Sequence, residues 1–367
     1  MLIRLSKNTV CGILALCACI GLTSCSPMQE APPQTPPVVI EDPAPEPVEP
    51  PAETEPKYTA PLTGLTIDKP SDQRPLAVMI NNAPAARPQS GLSGADIVYE
   101  VLAEGGITRL VAFYQSGGGE VNIGPVRSIR PYLIELAEIY GALPVHAGGS
   151  NDAYDQFQHQ GKQHLDEITN AGTSFWRSKD RKAPHNLYTS LQRLLEGAEK
   201  RGYPISSKIP EYTFAKPEPQ ITDGEQVTAF DIRFLLQSYR VSYTYNEDKQ
   251  IYLRSVNGEP HVDLNDGDQL SAANVVVMST SHRVLDDVGR LEVDLDSGGD
   301  ALIFREGRMI QGKWKHANRD IIRFYEGDTE VPLLPGQTYI HIVPNDQPLN
   351  GHVTITQPAQ LNAEDQG

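Results

Sequence analysis

The stretch that most restricts this chain runs from Ser26 to Ala60, SPMQEAPPQTPPVVIEDPAPEPVEPPAETEPKYTA. Eleven of its 35 residues are proline, and seven acids face one base. Proline fixes φ and removes a backbone donor, and the few large apolar side chains leave little to bury. The stretch is expected to be extended, with much polyproline II, and to reach about 100 Å at roughly 3.1 Å per residue. It reads as a tether, so every folded core must come from residues beyond about 61.

The residues before it suggest what is tethered. MLIRLSKNTVCGILALCACIGLTSC places Arg4 and Lys7 ahead of an apolar run from Val10 to Leu22. That is the pattern of a secretory signal, and the run is short for a membrane span. Leu22-Thr23-Ser24-Cys25 resembles the bacterial lipobox, which implies cleavage before Cys25 and a lipid on its sulfur. The other cysteines, Cys11, Cys17 and Cys19, fall in the segment that would be removed. The folded part is then expected to lack disulfides, a thiol nucleophile and thiolate metal ligands. The expected location is the extracytoplasmic face of the cell membrane, held by a lipid anchor.

With 31 basic and 47 acidic residues the formal charge is −16. This argues against nucleic-acid binding and non-specific adsorption to anionic lipid, but leaves room for a local basic site.

The expected layout is a signal peptide (1–24), the lipidated Cys25 and tether (25–60), an N-terminal α/β-type domain (61–205), a linker (206–222), a mostly β C-terminal domain (223–348) and a tail (349–367). The fold class is α+β. Arg74–Ile80 reads as a buried strand. Ala95–Ser116 reads as a hairpin turning on Gly105-Gly106, with a helix over Ala95–Glu104 as the competing reading. Helices are expected from about Arg130 to Tyr140, after His146, and over Thr189–Gly202. In the C-terminal part Arg240–Gly258, Asn274–Thr280, Ala301–Trp314, Ile321–Tyr325 and Gly336–Pro344 read as strands of a sandwich or barrel, while Phe230–Tyr239 is open to a helical reading.

Three constellations could carry chemistry. A two-residue turn would pair Leu102 with Arg109 and set Glu100, Glu104 and Arg109 on one strand face. They form either a solvated ion-pair face or the wall of a site, and two carboxylates also admit a glycosidase reading. In IGPVRSIRPY, Ser128 can cap the following helix, with Pro131 in its first turn. Arg127 and Arg130 have the wrong sign for a helix N-terminus, so they call for an anion, either internal (Glu100 or Glu104) or external. VHAGGSNDAYDQF joins His146 through glycines to Ser150 at a helix start, a shape able to cradle a phosphate, though it matches no nucleotide motif. The basic run FWRSKDRKAPHNLYTS adds Arg181, His185 and Asn186 beside aromatics, which suits an acidic sugar. His159 and His164 lack a metal-ligand pattern, and neither a metal nor a cofactor is expected.

Several of these motifs together, RPLAVMINNAPAARPQSGLSGADIVYEVLAEGGITRLVAFYQS, IGPVRSIRPY, VHAGGS and RKAPHNLYTS, resemble the YerB-like lipoproteins of the DUF3048 family across most of residues 62–345. The resemblance implies an exported lipoprotein with an N-terminal and a C-terminal family domain, and it supplies no catalytic residues. The motif order is also loosely similar to the LytR-CpsA-Psr phosphotransferases. The expected function is a non-catalytic binding or regulatory factor of the cell envelope with an anion-accepting cleft. Its partner would be an envelope glycan, a lipid-linked wall precursor or an envelope protein. The alternative is a wall-polymer phosphotransferase or glycan hydrolase using the same cleft.

Overall fold

The computed structural model describes residues 58–356 except 118–120, 209, 217–223 and 319. The signal segment, Cys25, nearly all of the tether and the chain end from 357 lie outside the described residues, as does much of the expected linker. In chain order the principal strands are β1 (Leu76–Asn81), β2 (Ile97–Leu102), β3 (Thr108–Tyr114), β4 (Leu143–His146), β5 (Leu165–Asp166), β6 (Ala229–Ile232), β7 (Val241–Asn246), β8 (Ile251–Val256), β9 (Asn274–Thr280), β10 (Gly299–Arg305), β11 (Arg308–Lys315), β12 (Arg323–Glu326), β13 (Thr329–Glu330), β14 (Thr338–Pro344) and β15 (Val353–Ile355). The longer helices are α1 (Pro131–Ile139), α2 (Asn151–Gln160) and α3 (Leu191–Lys200).

A 12-stranded sheet runs β13-β12-β11-β10-β9-β14-β2-β3-β1-β4-β5, with Glu225–Gln226 added beside β11. Its N-terminal and C-terminal contributions meet at a parallel pair, β14 with β2, in which His341 stands opposite Glu100. A 6-stranded sheet contains β8-β7-β6-β15. Residues 353–355, in the expected tail, therefore close its edge by pairing with β6.

Hydrophobic pattern explains the layering. Every residue of LAVMIN (β1), NVVVMST (β9) and TYIHIVP (β14) is buried. Such unbroken runs belong in a sheet covered on both faces. Leu191 and Leu194 of α3 pack on one face with Phe230 and Tyr243 of the small sheet. Leu133, Leu136 and Ala137 of α1 and Phe157 of α2 pack on the other. By contrast β8 alternates buried and half-buried residues, the period of a strand with one wetter face.

Strand outweighs helix, so the chain is mostly β with few helices. The α/β character expected of the N-terminal part is limited to the parallel set β1, β4 and β5 and three helices. Ala95–Glu104 and Phe230–Tyr239 are not helices; the first contains β2, and the second begins within β6.

The hairpin differs in register from the expected one. Leu102 pairs with Thr108, Val101 with Arg109 and Glu100 with Leu110. The loop is longer than two residues, with Ala103 N–H donating to Ile107 O at 2.7 Å and a turn of 3-10 helix between them. A slip of one residue exchanges strand faces. Glu100 and Arg109 therefore point to opposite sides of the sheet.

Candidate functional site

Strands β1, β4 and β5 run parallel, so their carboxyl ends share one edge. Open sheets commonly bind ligands outside such an edge. IGPVRSIR lies extended along it. Arg127 N–H donates to Met79 O and Asn81 N–H to Pro125 O, both at 2.8 Å. On the other side Val126 N–H donates to Leu187 O at 2.8 Å, Ala147 N–H to Arg127 O at 3.0 Å and Ile129 N–H to Gly148 O at 3.0 Å. The segment is thus fixed by backbone bonds to three neighbours before any side chain is considered.

Register then gathers the cations. Arg109 at the start of β3 stands opposite Asn81 at the end of β1. Arg127 follows directly on that end, and Arg130 is the residue before α1. Arg109 is only 7% exposed. Nε of Arg109 and Nε of Arg127 are buried without a hydrogen-bond partner among the described residues. Burial draws the Arg109 pKa down to about 10, helped by Arg127 and Arg130, with Tyr132 and Glu104 pulling the other way. Burial and Arg130 lower Arg127 in the same sense, against Glu104.

The nearby countercharge is Glu104, which accepts from Arg130 Nε in a partly buried ion pair. Burial alone would raise the Glu104 pKa, but Arg130 holds it below its ordinary value. Three guanidinium groups against one carboxylate leave the cluster cationic. Arg130 Nη1 also donates to Ile129 O at 2.7 Å. The helix behind it has no side-chain cap, because Arg130 rather than Ser128 occupies the cap position. Ser128 Oγ instead donates to Ala147 O at 3.1 Å.

His185 joins this edge, its Nδ1 lying 2.7 Å from Asn81 Nδ2. Burial, then Arg127 and Arg181, lower its pKa, so the ring stays neutral and Asn81 donates to it.

The remaining expected residues have other duties. Glu100 is fully buried on the opposite face and pairs with Arg254, Oε2 to Nη2 at 2.6 Å. Its other oxygen accepts from Thr108 at 2.7 Å, Asn82 at 3.1 Å and Tyr239 at 2.5 Å. Glu100 orients none of the three clustered arginines and forms no carboxylate pair with Glu104 at a common opening. His146 is fully buried, with Nδ1 2.9 Å from Gly148 O and Nε2 2.9 Å from His164 Nδ1. Ser150 caps α2 by accepting from Ala153 N–H at 3.3 Å. Arg181 donates to Ala86 O at 2.6 Å and also to Pro88 O. Asn186 accepts from Arg177 at 3.2 Å and donates to Ser178 O at 3.2 Å.

Asn81 and Asp166 are structural participants that the sequence reading did not single out. Asp166 is fully buried and fixes the glycine turn, accepting from Gly148 N–H at 2.8 Å and Tyr154 Oη at 2.9 Å. The available signal for Asn81 was Asn81-Asn82 directly after an apolar run, a polar end on a strand otherwise made for burial. Among the described residues no group of His, Cys, Asp and Glu has the arrangement of a metal site.

Comparison with known proteins matches residues 62–204 to the family described as "Protein of unknown function (DUF3048) N-terminal domain" and residues 230–340 to its C-terminal counterpart. A curated relative from Bacillus subtilis, named "Putative lipoprotein YerB", is 37% identical over 294 residues, covering 80% of this chain and 88% of that protein. The crystal structure of YerB protein from Bacillus subtilis superposes with a TM-score of 0.74 at 36% identity, over 82% of this chain and all of that one.

Proposed function

The chain belongs to the DUF3048 family of YerB-like lipoproteins, and from that premise we propose a membrane-tethered, non-catalytic binding or regulatory factor of the cell envelope. Cys25 is the acylated anchor, and the proline-rich tether sets the folded part away from the extracytoplasmic face of the membrane. The ligand carries an anionic group, phosphate or carboxylate, which enters the cluster of Arg109, Arg127 and Arg130.

One observation carries this reading: Arg109 and Arg127, which lie at the same sheet edge, both have buried Nε groups without a hydrogen-bond partner among the described residues, and Arg127 helps to lower the Arg109 pKa. A buried donor without a partner is costly, and like charges nearby add to that cost. An external anion relieves both, since guanidinium groups take phosphate or carboxylate through paired hydrogen bonds. Calorimetric titration of the full chain with inorganic pyrophosphate tests it. Saturable binding that Arg127→Ala reduces at least tenfold is expected; no binding in the parent protein overturns it.

A further inference from the structure

We propose that a second site, separate from the arginine cluster, holds an acidic glycan: a trough along α3 in which sugar rings pack beside Trp176 and their carboxylates meet Arg193 and Lys200. This site stands independently of the anion-binding reading above.

Helix periodicity builds one wall. Ser190 caps α3, its Oγ accepting from Arg193 N–H at 3.4 Å. Leu191, Leu194 and Ala198 turn into the core. Arg193, Glu196 and Lys200 then fall on the opposite, exposed face, at spacings of three and four. The other wall is Trp176, on the short strand Trp176–Arg177 that pairs with Leu187–Tyr188. Gly197 sets the depth. A β-carbon there would collide with Ser174 Oγ, so glycine lets the turn at Thr173 and Ser174 press against the helix and floor the trough.

The trough has a volume of about 750 Å³, within the range of ligand sites. From Ser190 to Lys200 it follows the helix for about 15 Å, at roughly 1.5 Å per residue. Trp176 and Asn122 also line a second groove of about 320 Å³, which reaches Arg181 and Leu264, so the two adjoin. The site is elongated, a shape for several linked sugar units rather than for one ion.

The lining decides the ligand. Apart from Trp176 the trough offers hydroxyl, amide and charged side chains, and no Leu, Ile, Val or Phe. Protein partners are anchored mainly by buried aromatic and apolar residues, for which this trough has no pocket. Sugars match it: their C–H bonds pack against an indole, and their hydroxyls exchange hydrogen bonds with amides and hydroxyls. Arg193 lies over the Trp176 ring, 5.1 Å from its centroid, with Nη1 3.4 Å from Thr173 O. A guanidinium stacked in this way keeps edge donors for a carboxylate. Lys200 makes no ion pair among the described residues. Glu196, the one acid in the trough, accepts from Gln192 at 3.0 Å. Two cations against one carboxylate leave the trough positive in a chain of formal charge −16, which favours an acidic sugar over a neutral one.

Fluorescence gives a local readout, because the chain has two tryptophans and Trp314 is fully buried. The full chain carrying Cys25→Ser is titrated with two acidic glycans, hyaluronan and polygalacturonate oligomers, with neutral chitin oligomers, and with oligoglutamate, which is acidic but has no sugar rings. At least one acidic glycan should change the tryptophan emission along a saturable curve and protect it from acrylamide quenching. Chitin oligomers should bind roughly tenfold more weakly, and oligoglutamate more weakly still. Arg193→Ala and Lys200→Ala, at exposed positions, should each weaken the acidic glycan about threefold or more. Trp176→Phe should abolish the emission change. Equal binding of chitin oligomers would overturn the acidic sugar, and equal binding of oligoglutamate would overturn the glycan. An emission change that survives Trp176→Phe, or no response to either acidic glycan, would overturn the site. The pyrophosphate titration decides the arginine cluster separately.

Discussion

Glu100 and Arg254 form a fully buried ion pair, 2.6 Å between Oε2 and Nη2, that links β2 of the large sheet to β8 of the small one. Burial alone would raise the Glu100 pKa, but Arg254 and His341 hold the carboxylate well below its usual range. Arg254 also lies over the rings of Tyr243 and Tyr339, at 5.9 and 5.6 Å. The pair therefore belongs to the packing between the sheets.

Removing one member leaves the other charged and sealed from water. Glu100→Gln should destabilise the protein by about 3–5 kcal/mol, the usual penalty for breaking a buried pair. The double variant Glu100→Gln with Arg254→Met should recover part of that loss. Urea denaturation of the single and double variants gives the comparison; a neutral Glu100→Gln would mean that the pair does not hold the sheets.

Glu104 should behave differently. Its pair with Arg130 is partly open, with side chains 23% and 16% exposed, so Glu104→Gln should cost no more than about 1 kcal/mol of stability. It should strengthen phosphate binding, because it removes the carboxylate competing for the arginines. A gain of roughly threefold to tenfold corresponds to about 1 kcal/mol of lost competition. Weaker binding in Glu104→Gln would show that Glu104 is needed to present Arg130.

Gly124 lets IGPVRSIR pass close to its neighbour. Its φ is +151°, and a β-carbon there would stand 2.7 Å from Leu187 O and 2.9 Å from Tyr188 Cδ1. Gly124→Ala should cost about 1–3 kcal/mol and displace Arg127, lowering phosphate affinity as well. Denaturation and phosphate titration of the same variant check both effects. Unchanged stability would mean that the segment has slack.

Burial lowers both His146 and His164 to about 4, each from 6.5, with His146 adding to the effect on His164. Between these values the unfolded chain binds more protons, so this contribution to stability rises with pH. It is complete above about 6.5 and is lost progressively as pH falls toward 4. Glu135 acts oppositely: burial, then Asp296 and Asp294, raises it to about 7, so its contribution falls as pH rises. Comparing His164→Gln with the parent by urea denaturation at pH 4.5 and 7 isolates the histidines. The variant should show the smaller difference; an equal difference would contradict the assignment.

The buried strands were legible because LAVMI, NVVVMS and TYIHIV are too continuously apolar to sit on a wet surface. The pairing of β14 with β2 was not, since residues far apart in sequence carry no local mark of being neighbours. The Glu100–Arg109 face failed for a local reason. Gly105-Gly106 suggested a two-residue turn, whereas the chain uses a longer loop, and one residue of register reverses the face. The wrong sign of Arg127 and Arg130 at a helix entrance called for an anion, internal or external, and of the two internal candidates Glu104 pairs with Arg130 while Glu100 pairs with Arg254. The contribution of Asn81 depended on the true register and could not be read from spacing.

The most direct measurement is to follow the Nε–Hε resonances of Arg109 and Arg127 by NMR while inorganic phosphate is added to the full chain. If these groups are the anion donors, both resonances should shift together along one saturable curve and exchange more slowly with water. If phosphate leaves both unchanged, or moves them no more than exposed Arg283, the anion site does not exist.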